Sequence, residues 1–370
     1  MTSRKRKQRR NYKIALCAVF IAAIVYAAFA YFALKLPNPG RFAKKQNFDQ
    51  IERMMFNVAL ESLDQTDATG RTSLIFFAER GNLDAVKYLV RSGANVHKVT
   101  RSGCNALSFA VQNGDIAMTK YLLAKGVDTE VQCGHLKETP LLQAVNGRKV
   151  GVIRSLIGHG ANLDYIAPNQ RMTIGMRILE SFPGDKAFER EVASRSSHPN
   201  FRTNDGVSLL QMVVDSGNKD ALRILLNRGA NPNMTLTGDE TILYHAAAMN
   251  NVPALNLLIK RGARVNTINS EGWAPITVAA ANGHYDAVVF LAGKGARLNP
   301  ERSSSQLVPV SPLFMAAING KKDVVQHLVN RGAVLSDIQE ANTVVSSVLQ
   351  LDSSKNDICK ILATAGLIRN

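Results

Sequence analysis

The residue types that carry out catalysis and ligate metals are present in this chain, but they are dispersed. The seven histidines are His97, His135, His159, His198, His245, His284 and His327, and none has metal-ligand spacing to a cysteine or to another histidine. The chain holds no phosphate loop G-x-x-x-x-G-K-[ST], no G-x-G-x-x-G, no G-x-S-x-G elbow and no H-E-x-x-H pair. The densest polar group is Asp185, Glu189, Arg190, Glu191 and His198. Acid–base catalysis would need these side chains to converge in a closed pocket, and a solvated helix face is the plainer expectation. The expectation is therefore no enzyme activity, no cofactor, no metal and no small-molecule substrate. The four cysteines are Cys17, Cys104, Cys133 and Cys359. Cys359 is expected in the core of the last helix. Asn233-Met234-Thr235 is a glycosylation sequon, relevant only in a eukaryotic lumen.

The elements that would position these residues come from an internal repeat. Thr72–Val96, Asn105–Thr129 and Ala274–Asn299 align as the same unit: a short helix rich in small residues, a glycine turn, a second apolar helix, then Gly-Ala or its equivalent. Corresponding starts lie at Thr72, Asn105, Thr139, about Thr173, Ser208, Thr241, Ala274, Ser311 and about Thr343. A period near 33 sustained along the chain marks a stacked array rather than a single globular core. Paired alanines (Ala246-Ala247, Ala279-Ala280, Ala316-Ala317) let neighbouring first helices approach, and Leu225-Leu226 and Leu257-Leu258 fill the layer between units. The glycine after the second helix supplies a left-handed cap. The segment from about 168 to 203 has the repeat length but little of the pattern, and it breaks at Pro183-Gly184. It reads as a degenerate unit or an insertion.

The repeat resembles the ankyrin repeat. The resemblance rests on Thr139-Pro140-Leu141 through Ala144, Thr241-Ile242-Leu243-Tyr244-His245-Ala246-Ala247, Ser311-Pro312-Leu313 through Ala316-Ala317, the turn Gly283-His284, and the closing Gly-Ala-x-x-Asn at Gly229–Asn233 and Gly262–Asn266. It covers about residues 68–366. A tetratricopeptide array has a similar period but lacks the Gly-Ala turn. The resemblance implies an all-α solenoid of about 7–9 helix-turn-helix repeats, one of them degenerate, that binds proteins. In that family the variable positions lie around the loop joining successive units, here termed the finger, and at the end of the first helix. Those positions are Arg71, Glu79, Arg80, Arg101, Gln112, Asn113, Asp215, Ser216, Asp239, Glu240, Met249, Trp273, Asn282 and Asn319. Trp273, the single tryptophan, is either a binding anchor or a cover for its own finger. Cys104 and Cys133 fall in neighbouring fingers and would bridge in an oxidising compartment if their Cα atoms came within about 7 Å.

Charge is concentrated at one end. The formal net charge is +16, from 45 basic and 29 acidic residues, which at first suggests a nucleic-acid or anionic-membrane partner. However, eleven cations precede the first acidic residue, Asp49, leaving 34 against 29 in the rest. They flank Ile14–Leu34, an apolar run of 21 residues without charge, Gly or Pro. As a helix the run would extend about 31 Å, the thickness of a bilayer core. Arg4, Lys5, Arg6, Lys7, Arg9, Arg10 and Lys13 precede it, and by the positive-inside rule they stay in the cytoplasm. A basic tail of this kind also resembles a nuclear-localisation or nucleic-acid patch, but beside a bilayer-length run, topology is the simpler reading. A signal peptide cleaved near Ala28-Phe29-Ala30 is the rival, although its apolar region would be unusually long.

The expected organisation is a basic cytoplasmic tail (1–13), a transmembrane helix (14–34), a tether (35–47), a capping helix (48–66) and the repeat array (67–370), closed by a cap at about 340–370. The expected function is a single-pass, membrane-anchored protein-binding scaffold, with the lipid bilayer contacted through 14–34 and no nucleic acid bound. Because ankyrin repeats in eukaryotes are commonly cytosolic, an extracytoplasmic array implies a bacterial inner membrane facing the periplasm. The alternative implied by the resemblance is an immunity protein that neutralises a toxin enzyme delivered to that compartment.

Overall fold

The computed structural model describes residues 56–57, 62–168, 170–299, 310–335, 338–349 and 356–368. The tail, the apolar run 14–34, most of 35–61 and the finger residues 300–309 lie outside the described residues. Among the described residues, no helix is long and apolar enough to cross a membrane. The chain divides into two compact units, Met1–Gln170 and Arg171–Asn370.

Among the described residues the first unit contains three helix pairs: α1 (Ser73–Glu79) with α2 (Leu83–Arg91), α3 (Ala106–Asn113) with α4 (Ile116–Ala124), and α5 (Pro140–Asn146) with α6 (Val150–Gly158). The second contains six: α7 (Ile174–Ser181) with α8 (Lys186–Arg195), α9 (Leu209–Asp215) with α10 (Lys219–Asn227), α11 (Ile242–Ala248) with α12 (Val252–Lys260), α13 (Pro275–Asn282) with α14 (Tyr285–Gly293), α15 (Pro312–Ile318) with α16 (Lys322–Asn330), and α17 (Ile338–Leu349) with α18 (Asn356–Thr364). Helices of two turns are marginal alone. They persist because, within each unit, first helices pack on neighbouring first helices and second on second.

Capping chemistry sets where the helices begin. The side chains of Thr72, Asn105, Thr139, Thr173, Ser208, Thr241 and Ser311 each accept a backbone N–H three residues on. Ala274 cannot do so, and Pro275 at the first helical position substitutes a preset φ. The last pair departs from the sequence expectation. Its first helix begins at Ile338, so Thr343 sits inside it rather than at its start.

The alanine pairs at 246–247, 279–280 and 316–317 are fully buried, as are Leu225 and Leu258, while Leu257 is half-buried. Cys359 is also half-buried rather than in the core, and burial pushes its thiol pKa up. In the first unit Phe56 lies in a helical stretch and packs its ring against Phe77 and Tyr88. The 168–203 segment forms the pair α7/α8, and α8 packs on α10 as any second helix would.

Candidate protein-binding site

In the second unit, charged side chains from three successive helix pairs lie on the first helices and the finger segments that lead into them. Thr241 caps α11, which places Tyr244 and His245 in its first two turns. His245 Nε2 lies 2.5 Å from Asp215 Oδ1 at the end of the neighbouring α9. That hydrogen bond raises the imidazole pKa, burial lowers it, and the charges of Asp215 and Glu240 raise it further. The Tyr244 hydroxyl is pushed up to about 12 by burial, then by the charges of Glu240 and Glu271. Three carboxylates, Asp215, Glu240 and Glu271, thus act on these two side chains. No Lys or Arg occurs in residues 229–259 or 265–293 to offset them.

Around this centre, Met249 is 45% exposed at the end of α11, and Asp239 is exposed in a short 3-10 turn. Trp273 is half-buried, with its backbone N–H and C=O both bonded to Asn269. Asn282 is committed to the stack: its Nδ2 donates to the Ala248 carbonyl, which also takes a bond from the His284 ring. Asn319 donates to Met315 O within its own helix. His245, Tyr244 and Glu271 were not singled out from sequence. The signal for His245 was an aspartate thirty residues earlier at the end of the preceding first helix, which matters only once the period is known.

In the first unit Arg71 is held between two carboxylates, at 2.9 Å from Asp67 and 2.8 Å from Glu79. Burial raises the Asp67 pKa, but hydrogen bonds from Thr69 and Arg71 outweigh it and hold the carboxyl well below the usual range. Arg80 lies over the Phe76 ring at 5.4 Å. The Arg101 amide bonds the preceding finger at Thr69 O. Cys104 and Cys133 form a disulfide between adjacent fingers, with their Cα atoms 4.4 Å apart, and Gln112 Nε2 points at the Cys133 sulfur. Beside that bridge Gly103 (φ +82°) is needed, because a Cβ there would fall 2.6 Å from the Gln132 carbonyl. Asn113 donates to the carbonyls of Ala78 and Glu79 that end the preceding first helix.

The polar group at 185–198 does not assemble a site. Asp185 caps α8, Glu189 is buried with its carboxylate accepting from Asn218, and Glu191 faces Arg195. Among the described residues no three His, Cys, Asp or Glu side chains are grouped to hold a metal ion.

A family model described as ankyrin repeats, in three copies, matches residues 41–133 and 209–302, about half of the chain. Relatives include a putative ankyrin repeat protein of Rickettsia bellii, 24% identical over 48% of this chain and 55% of that protein. The B-cell lymphoma 3 protein homolog of Mus musculus is 31% identical over 25% of this chain and 21% of its own length. An L-asparaginase of Dirofilaria immitis is 28% identical over 41% of this chain, which is 25% of the enzyme. The chain thus spans from about a fifth to about half of the length of these relatives. The family match, the 33-residue period and the capped helix pairs agree, and the chain belongs to the ankyrin-repeat family.

Proposed function

We propose that this protein is a membrane-anchored scaffold that presents its repeats outside the cytoplasm and binds a protein through the face formed by Asp215, Glu240, Tyr244, His245 and Glu271, with Met249 and Trp273 beside it. The observation that carries the binding reading is that Asp215, Glu240 and Glu271, from successive pairs, act on His245 and Tyr244, with no Lys or Arg in residues 229–259 or 265–293. Such a surface favours a basic element of the partner, with the half-buried Trp273 as its apolar anchor. The anchoring rests on sequence: the apolar run 14–34 with seven cations before it and four soon after. The Cys104–Cys133 bridge supports an oxidising compartment. The narrower expectation of a toxin enzyme as the partner has no observation in its favour among the described residues.

Two experiments test this reading. The full chain, extracted in uncharged detergent, is used to capture partners and is compared with Trp273→Ala and Asp215→Asn forms. The proposal expects the substitutions to weaken capture at least tenfold, and equal capture by all forms would refute the face. A reporter that is active only outside the cytoplasm, fused after Asn370, is expected to be active, whereas silence would refute the orientation.

A further inference from the structure

The second unit carries a second charged surface that the acidic face does not use. Each second helix from α10 to α16 is followed at its C-terminal cap by a cation: Arg228, Arg261, Lys294 and Arg331. Lys260 precedes one of these caps, and Arg264 and Arg297 open the fingers beyond two of them. All seven are exposed. The segments that hold them, 227–238, 260–270, 293–299 and 330–335, contain no Asp or Glu. Among the described residues none of the seven pairs with a carboxylate. Arg228 donates to the Ser196 carbonyl, Arg261 to the Asn227 side chain, and Lys294 lies over the Phe290 ring. Attraction to the carbonyl end of the helix accounts for the cap residues. It does not account for Arg264 and Arg297, which lie three residues past the caps.

A ladder of asparagines fixes the spacing of these cations. Asn233 donates to the Gly262 carbonyl and accepts the Arg264 amide; Asn266 does the same with Gly295 and Arg297; Asn299 does the same with Gly332 and Val334. Asn200 provides the rung below, on Gly229 and Asn231. Each rung repeats at the spacing of packed helices, about 8–10 Å. An extended polypeptide advances about 3.3 Å per residue, so three residues of such a chain cover one rung.

We infer that this edge binds an extended acidic segment of a partner protein, about ten residues long, with a carboxylate at every third position. The inference rests on the protein-binding reading but uses a different surface from the acidic face. A polypeptide fits better than a nucleic acid. The cations run along a single edge; among the described residues the one large apolar side chain exposed there is Val334, and the half-buried Phe290 ring is already covered by Lys294, so no open aromatic face is left on which bases would stack.

The test uses the full chain in uncharged detergent and a labelled, end-capped 12-residue peptide with glutamate at every third position and Ser-Gly between. Fluorescence anisotropy is expected to report binding that weakens about tenfold between 50 and 200 mM salt. Arg264→Gln with Arg297→Gln is expected to weaken it about tenfold more, with far-UV circular dichroism unchanged. A peptide of the same composition with its glutamates in one block is expected to bind several-fold less tightly. Neutralising the tail cations Arg4, Lys5, Arg6, Lys7, Arg9, Arg10 and Lys13, or changing Trp273→Ala, is expected to leave peptide binding unchanged. The inference is overturned by absent binding, by binding lost only with the tail variant, or by a 12-residue oligothymidine that binds more tightly through the same two arginines. Because Trp273→Ala reports on the acidic face alone, failure of one surface is distinguishable from failure of the other.

Discussion

The chemistry of the proposed binding face turns on His245, because imidazole is the side chain whose ordinary pKa lies nearest neutral pH. Its hydrogen bond to Asp215 raises the imidazole pKa above the ordinary value of 6.5, with burial opposing. A raised folded-state value stabilises the protein fully below the unfolded value and loses that contribution as pH rises through the folded value. The contribution is small, because the Asp215 side chain is 43% exposed. An NMR titration of the His245 ring is expected to show a midpoint above 6.5, and Asp215→Asn is expected to lower it; an unchanged midpoint would show that the pair is not coupled. As the ring loses its proton the face becomes more negative, so a basic partner should bind more tightly at pH 8 than at pH 6. In the sequence His245 is one of seven dispersed histidines, and its partner Asp215 is thirty positions away. Arg71 shows the converse. It looked free to bind, yet Asp67 and Glu79 already occupy its guanidinium.

Helix boundaries were the most legible feature of the elements, because capping is local chemistry. Every start residue from Thr72 to Thr241, and Ser311, became a side-chain cap. Thr343 failed because α17 runs for twelve residues and needs no cap there. The turn between paired helices was less legible. Eight turns place one residue at φ between 51° and 79°: Gly81, Gly114, Gly184, Gly217, Gly283 and Gly320, but also Arg148 and Asn250. Asparagine tolerates this region, whereas arginine pays about 1–2 kcal/mol there. Arg148→Gly is therefore expected to stabilise the protein, by up to about 1 kcal/mol after the entropy cost of glycine. Thermal or denaturant unfolding checks this, and a fall in stability would mean that the Arg148 side chain contributes more than its backbone costs.

For the whole molecule, net charge was a poor guide and charge placement a good one. The +16 is concentrated before Asp49, and the remainder of the chain has only a mild excess. Within that mild excess the second unit places cations at the ends of the second helices from α10 to α16, and Asp215, Glu240 and Glu271 on or before the first helices. The sequence could not reveal this placement, since it depends on which end of each helix a residue occupies. The central claim is that a protein partner is held on the acidic first-helix face. Hydrogen–deuterium exchange of the full chain, with and without saturating captured partner, tests it most directly. The account predicts slowed exchange in residues 239–249 and 270–282, abolished by Trp273→Ala at the same partner concentration. Unchanged exchange through both segments while the partner is bound would contradict it.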